Sequence, residues 1–224
     1  MTRRKKKPKR RRRTTPSPSP LPDIERAVYI SEYEITSEPI LDRAYERLSN
    51  EVKEAIDRLH DVSQRRPREA IPELLDLIEK YPDVPILYNY LSIAYSMSGQ
   101  REKSEAVVRE NYRRNPDYLF ARLNYVEICL AGGDYEKVAE ILEHKFDLKL
   151  LYPKRKRFHI SEVVNFMGLV GIYFVEIGER DTAEKYYDVL QQIGRRYPIT
   201  KQLRNRLFPG LFRRLYLRLT DRSE

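Results

Sequence analysis

Residues 81–135 read YPDVPILYNYLSIAYSMSGQREKSEAVVRENYRRNPDYLFARLNYVEICLAGGDY, and the punctuation in this stretch repeats. Pro82 and Pro116 stand 34 residues apart, inside the matching triplets Tyr81-Pro82-Asp83 and Asn115-Pro116-Asp117. Gly99 and Gly133 keep the same separation of 34. Each interval holds two helix-length segments. A unit of two antiparallel helices that stacks on copies of itself fits this spacing, because one pair alone cannot bury its apolar face.

Working outward, the same punctuation predicts helices over about 67–81, 84–98, 101–114, 117–131, 134–146, 160–177 and 179–196, with one or two more in 199–220. Gly99, Gly132-Gly133 and Gly178 follow helical stretches, where glycine takes a left-handed terminal conformation at little cost. Asp83 and Asp117 are placed as N-caps, and Pro67 and Pro85 fit first turns, which need no N–H. Pro72 fits a first turn only if its helix starts near Glu69. Upstream, Leu41, Tyr45, Leu48, Val52, Ala55, Leu59 and Val62 step by 4 and 3 alternately, which predicts one long helix with a heptad seam. That seam, residues 41–62, suits either a homodimeric coiled coil or packing on the first repeat. Three heptads is the minimum for a coiled coil, which favours packing.

Charge divides the chain. Residues 1–13 hold ten Lys/Arg and no acid, residues 195–224 hold nine Lys/Arg against two acids, and the whole chain is +9, so residues 23–194 carry −8. Residues 1–22, a basic run followed by a Pro-Ser segment, are predicted to be disordered, since like charges repel and little is apolar. Residues 23–39 give no clear pattern before Pro39. The organisation read from this is a tail (1–22), an N-terminal segment with the long helix (23–66), a helical-hairpin solenoid (67–198) and a basic C-terminal capping helix (199–224). With 41% hydrophobic and 34% charged residues, helices with narrow apolar stripes are expected. The single cysteine, Cys129, excludes an internal disulfide framework. No run approaches a membrane span, and no apolar stretch follows the basic N-terminus. The chain is therefore expected to be intracellular: cytoplasmic, or nuclear in a eukaryotic source.

Tyr88, Leu91, Ser92 and Tyr95, then Gly99, Ser104, Val108 and Pro116, stand in one unit. Arg122, Tyr125, Val126, Cys129 and Gly133-Asp134-Tyr135 stand in the next. Met167, Val170-Gly171, Phe174, Gly178, Ala183 and Tyr187 form a third, out of phase after an insertion near 147–160. This pattern resembles the tetratricopeptide repeat (TPR) over residues 67–198, in about three and a half units. The resemblance implies an all-α, TPR-like helical-hairpin solenoid whose first helices line a concave face that binds protein segments. Carried onto this sequence, the contact positions are Asn89, Ile93 and Met97 in one unit and Leu123, Glu127 and Leu130 in the next. The Lys/Asn/Arg set with which some relatives clamp a C-terminal carboxylate is missing.

Two basic runs are candidate anion contacts. Arg3, Arg4, Lys5, Lys6, Lys7, Lys9, Arg10, Arg11, Arg12 and Arg13 would track nucleic-acid phosphates by counterion release, without reading sequence. No aromatics are interleaved to stack single strands. In a eukaryote the same run reads as an import signal. Thr15-Pro16, Ser17-Pro18 and Ser19-Pro20 suit a proline-directed kinase, and phosphates there would weaken the tail's grip on anions. Lys154, Arg155, Lys156 and Arg157 form the second run, in the loop that breaks the repeat. At the C-terminus, Leu207, Leu211, Phe212, Leu215 and Leu219 share a helical face. Such a cationic amphipathic helix either lies on an anionic membrane or caps the last repeat, and Leu217 on the polar side favours the cap. His60, His144, His159 and Cys129 lack metal-ligand spacing, and no phosphate-cradling loop or nucleophile elbow is present. The expected role is a non-catalytic adaptor, needing no cofactor or metal, that binds another protein. The alternative is a nucleic-acid or ribonucleoprotein-associated factor acting through the basic ends.

Overall fold

The computed structural model describes residues 33–40 and 42–210. The tail 1–22, residues 23–32, Leu41 and the stretch 211–224 lie outside the described residues. In chain order the elements are β1 (Glu34–Thr36), α1 (Arg43–Glu46), α2 (Asn50–Arg65), α3 (Pro67–Lys80), α4 (Pro85–Met97), α5 (Arg101–Arg114), α6 (Leu119–Gly132), α7 (Tyr135–Ile141), α8 (Leu148–Leu151), β2 (Arg157–His159), α9 (Ile160–Glu176), α10 (Arg180–Ile193) and α11 (Pro198–Leu207). The protein is thus mostly helical, as the punctuation predicts.

The glycine spacing has a single physical basis. Gly99, Gly133 and Gly178 all have positive φ, at 78°, 73° and 88°. After each, the next amide reaches back five residues: Gln100 N–H to the Tyr95 carbonyl (2.8 Å), Asp134 to Cys129 (2.9 Å) and Glu179 to Phe174 (2.8 Å). Each closure satisfies helix-end carbonyls and reverses the chain, so the following helix packs back on the one before. Accordingly α4 packs on α5, α6 on α7 and α9 on α10.

Three expected elements are corrected. The heptad helix over 41–62 is broken: α1 ends at Glu46, and Ser49 caps α2, its Oγ accepting from Val52 N–H (3.4 Å). In α2 it is Ile56, not Ala55, that is fully buried, with Leu59, Val62 and Ser63; this stripe faces α3 and α4 of the same chain. The helix expected over 134–146 stops at Ile141. There Glu143 and His144 take left-handed backbone (φ 53° and 54°), and the His144 amide closes onto the Ala139 carbonyl (2.8 Å). Phe146 then turns inward onto Tyr173 and Phe174, and Asp147 caps α8. Third, Pro72 lies well inside α3, not in a first turn. Its ring is on the exposed side, so the Arg68 carbonyl that lacks a partner faces water.

No periodicity in the sequence predicts a strand, yet β1 pairs with β2 in parallel, in the register Glu34↔Arg157, Ile35↔Phe158, Thr36↔His159. The Tyr33 ring meets Phe158 edge-on (5.0 Å between centroids), and Ile35 joins the same apolar cluster. A segment near the start of the chain therefore straps onto the insertion that precedes α9.

Two hydrophobic cores result. One gathers side chains from α1 to α4; the other gathers α6 to α11 together with Ile35. Helix α5 contributes Val107 to the first and Tyr112 to the second. Arg122, at a position where the repeat pattern has an aromatic, is 4% exposed. Its guanidinium donates to the carbonyls of Ile141 and Pro116 (3.2 Å) and to Glu143 (3.0 Å), holding the end of α7 against α6. Close approach elsewhere depends on glycine: a Cβ on Gly171 would lie 2.6 Å from Leu203 Cδ2, and α9 packs directly on α11.

Candidate functional site: a groove between two cores

The boundary between the cores is open. A cavity of about 690 Å³ lies there, with α4 and α5 as one wall and α6 as the other, and His60 of α2 at its edge. The α6 wall follows from helical phase. Leu119, Leu123, Val126 and Leu130 step by 4, 3 and 4 and are all buried in the second core. The adjacent face, about 100° round the helix and carrying Phe120, Asn124, Glu127, Ile128 and Ala131, is left to line the cavity.

Of the six groove residues expected from the repeat pattern, Asn89, Ile93 and Glu127 line the cavity. Met97 is 60% exposed at the last turn of α4 and does not line it. Leu123 and Leu130 are corrected: at 2% and 8% exposure they are core residues. The 34-residue spacing assigns Leu123 the place of Asn89, whereas Asn124 is the residue that meets Asn89. The stripe 119–123–126–130 was the signal available in the sequence: once it is assigned to the core, the groove face of α6 follows.

A set of asparagines spans the boundary beneath the groove. Asn111, 1% exposed, donates to the Pro85 carbonyl (3.1 Å) and to Asn89 Oδ1 (2.9 Å). Asn124 Nδ2 donates to the same Asn89 oxygen (3.1 Å), and Asn115 Nδ2 donates to Asn111 Oδ1 (3.0 Å). Three helices, α4, α5 and α6, are thereby tied by amides where apolar side chains would have closed the gap. Buried polar groups with all partners in place fix one geometry, since any slip leaves a donor or acceptor unpaired.

The electrostatics of the lining are uneven. Glu105 accepts from Arg101 (2.8 Å) and Arg109 (2.9 Å), and those bonds lower its pKa. Glu127 reaches solvent at the mouth, but the concave wall desolvates its carboxyl and raises its pKa; the Arg206 charge opposes this. Burial pushes the Tyr90 phenol up to about 12, with Asp57 adding to the shift. These groups offer hydrogen bonds, one carboxylate and apolar contact. Cys129 packs in the second core, and burial raises its thiol pKa. Among the described residues, no group of three or more His, Cys, Asp or Glu is placed to hold a metal ion, and no helix is long and apolar enough to cross a membrane.

No family model matches the chain, and no curated protein or solved structure does.

The basic runs fare differently. Arg3 to Arg13 lie outside the described residues, as do Leu211, Phe212, Leu215 and Leu219, while Leu207 is fully buried. In the 154–157 run the side chains separate by role. Arg155 pairs with buried Glu162 (2.5 Å) and lies over the Phe158 ring. Arg157 pairs with Glu34 (3.3 Å) and Glu38 (3.0 Å) of the strap. Both arginines are engaged in holding β1 and β2, so the run offers an external anion less charge than its sequence suggests. Lys154 and Lys156 are exposed.

Proposed function

We propose that this chain is a non-catalytic adaptor, built as a TPR-like stack of helical hairpins, that binds a segment of another protein in the groove between α4, α5 and α6. The observation that carries this reading is the groove itself: an open cavity of about 690 Å³ whose walls are held apart by a hydrogen-bonded asparagine brace. A gap that served only folding would favour closure by apolar side chains, since each buried methylene contributes roughly 0.8 kcal/mol. The three left-handed glycine closures and the packing of each helix pair support the hairpin stack. Affinity capture from native extract tests the reading, comparing the full chain with the Glu127→Arg/Ile128→Asp variant, which leaves the brace intact, after nuclease and high salt. Protein partners that persist through both treatments and are lost from the variant are expected. An unchanged partner set overturns it.

The second reading, a nucleic-acid or ribonucleoprotein-associated factor, is favoured by the ten Lys/Arg in residues 1–13. If about six of them neutralised duplex phosphates, log affinity would fall against log salt with a slope of about −5. Equal salt slopes with and without residues 1–13 would dismiss it.

A further inference from the structure

Four titratable side chains other than tyrosine line the groove: His60, Arg101, Glu105 and Glu127. Arg101 and Glu105 neutralise each other (2.8 Å). His60 lies beside Asp61 (3.3 Å) at the rim. Glu127 has no ion-pair partner among the described residues. Arg206, whose charge acts on Glu127, is itself paired with Glu176 (3.4 Å). The groove therefore holds one uncompensated acidic group, on its α6 wall.

The amides do not supply ligand recognition in this geometry. Asn89 Oδ1 already accepts two bonds, from Asn111 and Asn124, and Asn89 Nδ2 is directed at Tyr118 Oη (3.5 Å). What remains to meet an occupant is Glu127, flanked by half-buried Ile93 on α4 and Ile128 on α6.

We propose that the occupant is a segment of another protein carrying one Lys or Arg between aliphatic side chains, its cation paired with Glu127 and its aliphatics against Ile93 and Ile128. This rests on the groove-binding reading above and adds the chemistry of the partner. A Lys or Arg can donate a charge-assisted hydrogen bond to the Glu127 carboxylate, which stands at the groove mouth beside the two aliphatic side chains. Residues 23–194 carry net charge −8, so long-range attraction also draws a cationic partner towards this part of the chain.

The chain's own cationic segments fit less well. Residues 1–13 hold only Pro8 between their cations, with no branched aliphatic side chain. The stretch 211–224 is both aliphatic and cationic and follows α11, whose Arg206 acts on Glu127, but the end of that helix is turned onto α10, where Phe208 packs on Tyr187 (5.7 Å). Helix α10 forms no wall of the groove.

A phage-displayed library of random dodecamers, selected on the full chain, tests the proposal, with enriched peptides re-measured by fluorescence anisotropy. Glu127→Lys and Ile128→Asp are the variants; both positions line the open groove, and circular dichroism melts check their fold. The enriched peptides are expected to share a Lys or Arg flanked by aliphatics. Glu127→Lys should weaken them by roughly tenfold or more, the order of one charge-assisted hydrogen bond, and a selection on that variant should return acidic peptides instead. If peptides lose affinity on Ile128→Asp but ignore Glu127→Lys, the groove reading stands and this proposal falls. If both variants leave binding unchanged, or nothing is enriched, both fall. If peptides bind only after Phe212→Asp/Leu215→Asp, the groove is filled by the chain's own C-terminal segment, and the trans partner is refuted.

Discussion

Replacing Asn111 by leucine keeps the branched side-chain shape, with two bulkier methyl groups in place of the amide, and removes every hydrogen bond of the brace that passes through α5. Asn111 makes three: to the Pro85 carbonyl (3.1 Å), to Asn89 Oδ1 (2.9 Å) and from Asn115 (3.0 Å). Each contributes roughly 1 kcal/mol net, and a buried acceptor left without a donor costs about 1–3 kcal/mol. No acceptor is orphaned: Pro85 opens α4, so its carbonyl keeps the helical N–H of Asn89, Asn89 Oδ1 keeps Asn124, and the half-buried Asn115 can turn to water. The expected loss is that of the bonds themselves, about 2–3 kcal/mol, less whatever the leucine gains from apolar contact. At about 2–4 °C per kcal/mol for a chain of this size, that is a fall in Tm of roughly 4–12 °C. Urea unfolding followed by circular dichroism gives the free energy. Asn115→Ala, which removes a single bond at the wet end, is the control and should cost less than about 1 kcal/mol. If Asn111→Leu costs no more than Asn115→Ala, the brace does not hold the two cores together and the reasoning fails.

Other outcomes are equally specific. Gly171→Ala should destabilise by about 1–3 kcal/mol, because its new Cβ would lie 2.6 Å from Cδ2 of the fully buried Leu203, which must shift to admit it; in a double-mutant cycle with Leu203→Ala the two losses should be less than additive, and strict additivity would refute the contact. His144→Gly should raise stability by roughly 0.5–1 kcal/mol in thermal melts, since the exposed His144 is held at φ 54°, a region that only glycine enters freely. The Glu110 pKa is lowered from 4.5 to about 2 by hydrogen bonds from Arg113 and Arg114, so its contribution is full above pH 4.5 and is lost as pH falls towards 2. Glu110→Gln should flatten stability in that window; because the pair is exposed the change is small, and an unaltered acid-unfolding profile would count against it. Ile35→Asp should speed amide exchange at residues 157–159, where β1 pairs with β2; unchanged exchange there would mean the strap contributes nothing to that edge.

Local chemistry alone determined a good deal. Proline and glycine constrain φ whatever surrounds them, so Gly99, Gly133, Gly178, Pro67 and Pro85 mark helix ends that the structure keeps. The apolar stripe of α6 and the break of the repeat near 147–160 are legible for the same reason: a helix's periodicity is a property of its own residues. Tertiary structure decided the rest. The turn at Glu143 and His144 contains no glycine and depends on the guanidinium of Arg122, 21 residues away from Glu143. The strap exists because Tyr33 and Ile35 find Phe158 and the second core, a pairing across more than a hundred residues that no local pattern encodes. The groove lies at the boundary of two cores, and which asparagine meets which across it is set by how α4, α5 and α6 settle against one another. A one-residue change in that register turns Leu123 inward and leaves Asn124 to face Asn89, because on a helix the neighbouring position points about 100° away.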